Sequence, residues 1–153
     1  IKLIESLEGL KVVTASLDAV SVLNYVREQQ TSDYTEVERQ HIKLLDILRD
    51  ELPDDGIIFG DIAQVVYTGT AAMKTWLPRT WFYPAGFGAL GCALPDAIGA
   101  KLALPNRKVV ALVGDGGFMF TVNELATAVE ESLSIPIIIW HNHSYAMIRD
   151  GMV

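Results

Sequence analysis

An unbroken apolar run at residues 109–113, Val-Val-Ala-Leu-Val, constrains the fold more than any other feature of the sequence. A run without alternating polar residues is typical of a strand that is buried on both faces of a parallel sheet. Residues 114–117, Gly-Asp-Gly-Gly, follow it directly, and a second apolar run at 136–140 ends at His141 and Asn142. Both runs therefore predict buried parallel strands with polar side chains at their carboxyl ends.

Helical patterns alternate with the predicted strands. Thr35 and Glu38 have the spacing of a capping box, which predicts the start of a helix. The residues that then share one helix face are Val37, His41, Leu45, Leu48 and Leu52. Residues 57–61, Ile-Ile-Phe-Gly-Asp, predict a short buried strand and its end, and residues 93–104 predict a helix rich in small side chains.

A second capping-box pattern stands at residues 121–124, Thr-Val-Asn-Glu, and predicts a helix that begins at Val122. The residues of its apolar stripe are Leu125, Ala128, Val129 and Leu133. A repeating order of strand, turn, helix and strand is the pattern of βαβ units. The sequence therefore predicts an α/β fold, a parallel sheet with helices on both faces.

Two regions lack this pattern. Residues 67–87 predict a long surface or interface loop that carries the aromatic residues Trp76, Trp81, Phe82 and Tyr83. Residues 1–34 contain a short apolar run at 10–13 and a helical pattern broken at 31–33, and we interpret them as a connector from a missing upstream region. Residues 35–153 are expected to be the functional domain, truncated at its C-terminal end.

Composition excludes several classes of partner. The chain has 153 residues, of which 50% are hydrophobic, so it can bury the core of one domain. Its net charge of -7 disfavours binding to nucleic acid or to anionic membranes. No apolar run approaches the ~20 residues that span a bilayer. One cysteine, Cys92, and no recognisable signal peptide lead us to expect a cytoplasmic protein.

The residues at the two strand ends suit a cation and an anion together. Mg²⁺ prefers oxygen ligands, and Asp115 and Asn142 offer a carboxylate and an amide oxygen. The glycines beside Asp115 allow a diphosphate to approach backbone N–H groups, and the helix expected from Val122 adds a favourable dipole. The Gly-Asp-Gly run or Asn142 alone is also compatible with an ordinary turn. Their occurrence together, at the ends of successive strands, favours a cation and diphosphate site over two unrelated turns. His141 and His143 are interpreted as residues near the site and not as metal ligands.

Taken together, these segments resemble thiamine-diphosphate (ThDP) dependent enzymes of the acetolactate synthase and 2-oxoacid decarboxylase family. Residues 114–116 followed by 141–142 resemble the ThDP-binding motif, which opens with Gly-Asp-Gly and closes with Asn-Asn. Residues 86–100, Gly-Phe-Gly-Ala-Leu-Gly-Cys-Ala-Leu-Pro-Asp-Ala-Ile-Gly-Ala, resemble the block that precedes it. The resemblance covers residues 52–153 and identifies them as a C-terminal diphosphate-binding domain. His141 departs from the motif, because the family has Asn there.

The resemblance implies roles for particular residues. The expected Mg²⁺ ligands are Asp115, Asn142 and the carbonyl of Ser144. The expected cofactor-binding residues are Gly88, Ala89, Leu90, Gly114, Gly116, Gly117, Asn142, Tyr145, Ala146 and Met147. Gly88 would bind the aminopyrimidine through its carbonyl, and Leu90 would hold ThDP in its bent conformation. The activating glutamate belongs to a separate N-terminal domain in this family, so no catalytic residue is expected in this chain.

The resemblance also implies a reaction and partners. Residues 61–69 and 78–82 look similar to 5-guanidino-2-oxopentanoate decarboxylases, so decarboxylation of a 2-oxo acid is the expected reaction. The alternatives are an acetolactate synthase, which joins two 2-oxo acids, a non-catalytic module that binds a nucleotide or another diphosphate, and a natural half-enzyme. The expected partner is the pyrimidine-binding domain of another subunit, in a homodimer or homotetramer. We expect the isolated chain to be inactive.

Overall fold

The computed structural model describes residues 18–152, and the chain divides into two compact units, Ile1–Tyr34 and Thr35–Val153. In the first unit, helix α1 (Ala19–Asp33) begins after Asp18, whose carboxylate accepts the backbone N–H of Ser21. The predicted break at residues 31–33 is wrong, because the helix continues to Asp33. The predicted apolar run at 10–13 lies outside the described residues.

The second unit contains the other elements. In chain order they are α2 (Glu36–Glu51), β1 (Ile57–Gly60), α3 (Gln64–Ala72), β2 (Trp81–Phe82), α4 (Ala93–Ala103), β3 (Val109–Gly114), α5 (Asp115–Thr121), α6 (Glu124–Glu130), β4 (Ile137–Trp140) and α7 (Ala146–Asp150). The strands form one parallel sheet in the order β2-β1-β3-β4. This arrangement confirms the predicted parallel α/β fold.

Alternate residues of the central strand β3 pack into cores on opposite faces of the sheet. Val110 and Leu112 belong to the core that includes Leu45 of α2 and Val65 of α3. The core on the other face contains Val109, Ala111 and Val113 of β3, with Ala93 and Ala97 of α4. Burial on both faces explains why the β3 sequence is uniformly apolar.

Helix α2 begins with the predicted capping box. Thr35 Oγ1 accepts the Glu38 backbone N–H at 3.3 Å, and Glu38 Oε2 accepts the Thr35 N–H at 2.7 Å. Such a cap stabilises a helix by about 1 kcal/mol. The helix buries His41, whose Nδ1 lies 2.8 Å from Thr68 Oγ1 of α3. The predicted α2 face therefore packs inward, although Val37 is exposed.

The predicted loop at residues 67–87 is wrong in part, because α3 and β2 both fall within or across it. Helix α3 buries Val65 and Val66, and strand β2 pairs with β1. Gly69 allows this packing: a Cβ there would lie 2.5 Å from Cη2 of the Trp81 ring. The helix pattern was hidden because α3 is short and contains Thr and Gly, which have low helix propensity.

The second predicted capping box is also wrong. Helix α6 begins after Asn123, which makes no side-chain cap hydrogen bond. Thr121 Oγ1 instead donates to the carbonyl of Gly91 at 3.0 Å, a tertiary contact that sequence spacing cannot reveal. A separate helix, α5, begins directly at Asp115, so residues 115–117 form its first turn and no extended turn follows β3.

Candidate functional site

The carboxyl ends of β1 and β3 lie side by side at the centre of the sheet. Strand β1 is followed in sequence by β2 on one side, and β3 is followed by β4 on the other side. The chain connections therefore diverge between β1 and β3, and such a divergence leaves a crevice where α/β proteins bind ligands. Gly60 and Gly114 are the last residues of these two strands.

A pocket of about 260 Å³ occupies this crevice. It gathers nearly every residue that the sequence singled out, namely Gly88, Leu90, Gly114, Asp115, Gly116, Gly117, Asn142, Ser144, Tyr145, Ala146 and Met147. Ala89 does not line it, although its neighbours Gly88 and Leu90 do. Residues that are far apart in sequence thus line one pocket at the edge of the sheet where the two central strands end.

The pocket also contains residues that the sequence analysis missed, namely Ile62, Ala63, Gln64, Tyr67, Trp140 and Ile148. The first four follow β1, and the signal for them was present in residues 60–61, Gly-Asp, which repeat the strand ending seen at 114–115. The prediction of a loop from residue 67 concealed that Gln64 and Tyr67 belong to one short helix, α3.

Asp115 is held by a neighbouring histidine. Its Oδ2 lies 2.9 Å from Nδ1 of His141, which follows β4. The Asp115 side chain is 24% exposed and the His141 side chain is 54% exposed, so the pair lies at the rim of the pocket. The contact engages Oδ2, so a cation could bind Oδ1 of Asp115 without breaking it.

The Asn142 amide is held by two contacts that fix its orientation. Its Nδ2 donates to Gln64 Oε1 at 3.0 Å, and its Oδ1 accepts the Ser144 backbone N–H at 3.2 Å. The intervening residue, His143, has φ of 58°, which turns the chain back after β4. The amide oxygen retains a second lone pair, so it can bind a cation in addition to the Ser144 N–H.

Two glycines at the start of α5 bring the backbone close to neighbouring groups. A Cβ on Gly116 would lie 2.5 Å from Cε1 of the Tyr145 ring. A Cβ on Gly117 would lie 3.0 Å from Cγ of Asp61 and would overlap its Oδ2. Any side chain at either position would therefore displace a residue beside the pocket.

The segment from Gly88 to Gly91 contributes Gly88 and Leu90 to the pocket lining. Gly88 has φ of 73° and Gly91 has φ of 84°, a backbone region that strongly favours glycine. An added Cβ on Gly88 would meet nothing within 4 Å, so its backbone faces open space. Gly91 is bound to Asp61, whose carboxylate oxygens accept its N–H at 3.0 Å and 2.8 Å.

Buried negative charge affects the residues behind this segment. Burial, together with the charges of Asp61 and Asp96, raises the pKa of the Cys92 thiol. Burial and the charge of Asp61 also raise the pKa of Asp96. Within residues 18–152, no group of three or more His, Cys, Asp or Glu side chains is placed to hold a metal ion. A cation at this site would therefore rely on carboxylate, amide and carbonyl oxygens together, a donor set that suits Mg²⁺.

None of the helices within residues 18–152 is long and apolar enough to cross a membrane.

The topology and the pocket define a parallel α/β domain that binds its ligand at the carboxyl edge of the sheet. Residues 61–152 match the family model described as "Thiamine pyrophosphate enzyme, C-terminal TPP binding domain". The chain belongs to this family, as its sequence motifs predicted, and thiamine pyrophosphate, another name for ThDP, is the cofactor of the family.

Individual relatives agree with this assignment. The chain is 39% identical over 139 residues to a probable 2-ketoarginine decarboxylase, AruI, of Pseudomonas aeruginosa, an alignment that covers 90% of this chain and 25% of that protein. It is 36% identical over 109 residues to the large subunit of acetolactate synthase isozyme 1 of Escherichia coli, covering 71% of this chain and 19% of that protein. The chain thus spans a quarter or less of the length of these two relatives.

A solved structure supports the fold. The thiamine diphosphate-dependent 4-hydroxybenzoylformate decarboxylase of Rhodococcus jostii RHA1 matches with a TM-score of 0.66 and 31% sequence identity. The match covers 72% of this chain and 21% of that one.

Proposed function

We propose that this chain binds the diphosphate of ThDP and its Mg²⁺ in an enzyme that decarboxylates a 2-oxo acid. One observation carries the proposal: the pocket between β1 and β3 brings together Asp115, Asn142 and Gly88, which come from segments far apart in sequence. Family membership indicates the cofactor, and the shared pocket supports the proposal that these residues bind it.

The Mg²⁺ ligands in this proposal are Asp115 through its carboxylate, Asn142 through Oδ1 and Ser144 through its carbonyl. These are hard oxygen donors, and Mg²⁺ completes its octahedron with phosphate oxygens and water. The hydrogen bond from Asn142 Nδ2 to Gln64 Oε1 keeps Oδ1 turned away from Gln64. The 2.9 Å contact between His141 and Asp115 supports the carboxylate in the same way.

The diphosphate would lie against the first turn of α5. The backbone N–H groups of the first helical residues have no carbonyl partner within their own helix. Gly116 and Gly117 belong to this turn, and their backbone N–H groups are the proposed donors to the phosphate oxygens. Their lack of side chains leaves room for the Tyr145 ring and the Asp61 carboxylate, which pack against the turn. The cation at Asp115 would offset the negative charge of that carboxylate beside the diphosphate.

The opposite end of the cofactor would reach Gly88 and Leu90. Gly88 lines the pocket, and its carbonyl is the proposed acceptor for an amino group of the pyrimidine ring. Leu90 lines the pocket and would support the bend between the two rings. When bound, ThDP would supply a carbon nucleophile and an electron sink for the electron pair that remains when CO₂ leaves. The residues of this chain bind and orient the cofactor and exclude water from it.

The relatives favour decarboxylation of a 2-oxo acid. The alignment with the probable 2-ketoarginine decarboxylase covers 90% of this chain, against 71% for the acetolactate synthase isozyme 1 subunit. We therefore propose a 2-oxo acid with a basic side chain, such as 5-guanidino-2-oxopentanoate, as the first substrate to test. Acetolactate synthesis is the second candidate, because the same pocket residues would serve either reaction.

The relatives' greater length supports further parts of the enzyme beyond this chain. We propose that a pyrimidine-binding domain from another subunit supplies the activating glutamate, in a homodimer or homotetramer. Residues 1–34 would be the connector to an upstream part, and Thr35–Val153 the diphosphate-binding domain. A cytoplasmic location is proposed on the free thiol of Cys92, which a reducing compartment preserves.

Calorimetric titration of ThDP into the full-length enzyme with saturating Mg²⁺ tests the proposal. Asp115→Ala should abolish Mg²⁺-dependent binding, because the diphosphate would face an incomplete cation site. The matched control is Asp46→Ala, since Asp46 pairs with Lys74 on the surface, away from the pocket. Unchanged ThDP affinity in Asp115→Ala would refute the metal assignment. Equal affinity of the wild type for ADP and ThDP would instead favour a general diphosphate-binding module.

A further inference from the structure

Asp61 is the most completely buried acidic side chain near the pocket. It follows β1, it has no exposed surface, and its backbone N–H donates to the carbonyl of Leu112 in β3. Its Oδ1 accepts the Ile62 backbone N–H at 2.9 Å. Asp61 makes no salt bridge within the part of the chain that the structure describes, so backbone N–H groups are the donors that surround its carboxylate.

The second partner of Asp61 is Gly91, which lies thirty residues away in sequence. Both oxygens of Asp61 accept the single N–H of Gly91, at 3.0 Å and 2.8 Å. The carbonyl of Gly91 accepts Thr121 Oγ1 at 3.0 Å. Gly91 is therefore held on both sides, by the end of β1 and by the end of α5.

Close packing around Gly91 and Asp61 leaves little freedom to move. A Cβ on Gly91 would lie 2.8 Å from Cβ of Phe120, so its backbone is pressed against α5. Gly117 in the first turn of α5 is pressed in turn against the Asp61 carboxylate. The carboxylate thus lies between the segment that contains Gly88 and Leu90 and the helix turn that begins at Asp115.

We infer that Asp61 is a positioning residue that sets the distance between the two walls of the cofactor pocket. This inference rests on the proposed function, in which Gly88 and Leu90 bind one end of ThDP and residues 115–117 bind the other. A carboxylate suits the task because both of its oxygens accept hydrogen bonds. An amide of the same shape replaces one acceptor with an N–H₂ donor.

Asp61→Asn in the full-length enzyme tests the inference, with Thr80→Val as the matched control. Thr80 is also buried and donates to the Leu77 carbonyl at 2.8 Å, but it precedes β2, at the opposite end of the sheet from the pocket. Both substitutions weaken a buried polar interaction. Only Asp61→Asn should affect the pocket.

The first measurement is amide hydrogen exchange in the cofactor-free protein. Asp61→Asn should raise exchange at the Gly91 amide about tenfold or more, since a hydrogen bond to a charged acceptor is weakened. Thr80→Val should leave that amide at the wild-type rate. Wild-type exchange at Gly91 in Asp61→Asn would overturn the inference, whatever happens to the cofactor.

The second measurement compares ThDP affinity with H/D exchange at the cofactor C2 carbon. Asp61→Asn should slow C2 exchange by about tenfold to a hundredfold, because misplacement of the pocket wall disturbs the reactive geometry. The Kd for ThDP should change by less than about threefold, because the diphosphate contacts of α5 are retained. A purely structural role would lower thermal stability and leave C2 exchange unchanged, and that result would refute the inference.

A second variant decides the question if Asp61→Asn does not fold. Thr121→Val removes the other hydrogen bond to Gly91 and keeps Asp61 intact. Thr121→Val should also slow exchange at the ThDP C2 carbon, but by less than Asp61→Asn. A wild-type rate of C2 exchange in Thr121→Val would overturn the inference. Failure of the wild-type enzyme to bind ThDP would refute the proposed function instead, and the Gly91 amide would still report on the contact with Asp61.

Discussion

Replacement of Gly117 by alanine should destabilise the domain, although alanine is the better helix former. Gly117 lies in the first turn of α5, and an added Cβ would lie 3.0 Å from Cγ of Asp61 and closer still to Oδ2. Ordinary van der Waals contact begins near 3.4 Å. The carboxylate would therefore have to move, and it is fully buried and bonded to Gly91 and Ile62.

The net effect follows from opposing contributions to the free energy of unfolding. Replacement of glycine by alanine within a helix stabilises the folded protein by about 0.5–1 kcal/mol. Insertion of a carbon into a packed site costs about 1–3 kcal/mol. A weakened hydrogen bond to the buried carboxylate costs about 1.5–3 kcal/mol more. The expected net loss for Gly117→Ala is thus about 1.5–5.5 kcal/mol, a large part of the ~5–15 kcal/mol that stabilises a typical protein.

Urea unfolding of the cofactor-free full-length enzyme, followed by circular dichroism and tryptophan fluorescence, measures this loss. Midpoints are compared, because unfolding of a longer enzyme need not be two-state. With a slope of about 2 kcal/mol per molar urea, the midpoint should fall by about 0.75 M or more. The matched control is Gly99→Ala in α4, where an added Cβ meets nothing within 4 Å. Gly99→Ala should raise the midpoint slightly.

A midpoint for Gly117→Ala that equals or exceeds that of Gly99→Ala would refute the reasoning. A double-mutant cycle with Asp61→Ala identifies the source of any loss. If the added methyl group acts through the carboxylate, the double variant should lose less stability than the two single losses together. Simple additivity would show that Gly117→Ala acts elsewhere.

Three further predictions concern the cofactor, pH and the isolated chain. Leu90→Ala should slow H/D exchange at the ThDP C2 carbon with a modest change in affinity, and a wild-type rate would show that Leu90 only fills space. Burial lowers the pKa of His41 below its ordinary 6.5, an effect that the charge of Glu38 partly opposes. His41 therefore binds a proton less readily in the folded than in the unfolded chain. Its contribution to stability is fully present above pH 6.5 and is lost as the pH falls below that value. The urea midpoint should fall between about pH 7 and about pH 5, and less so in His41→Asn; equal slopes would contradict the assignment. The isolated chain with saturating ThDP and Mg²⁺ should release no CO₂ from a panel of 2-oxo acids, because an acid–base group contributes about 10²–10⁴ in rate; turnover near that of intact enzymes would show that it needs no other domain.

Local patterns in the sequence predicted most of the fold, because they report local physics. The apolar β3 sequence reflects burial on two faces, and the Thr35 capping box reflects hydrogen bonds that close within one turn. The predictions were wrong where the local pattern was weak, or where a side chain bonds to a residue far away in sequence. Helix α3 was missed because it is short and poor in strong helix formers, and Thr121 was misread because its hydroxyl bonds to Gly91.

The sequence by itself determined the parallel α/β class, the family and the candidate residues at the ends of β3 and β4. Tertiary structure alone decided how those residues meet. The β2-β1-β3-β4 order places the end of β1 beside that of β3, and this order brings Gln64 to Asn142 and Asp61 to Gly91. A sequence motif reports residues that are near one another along the chain. Contacts between distant segments depend instead on strand order and on the close approach that glycines permit. The role inferred for Asp61 could therefore be found only in the folded chain.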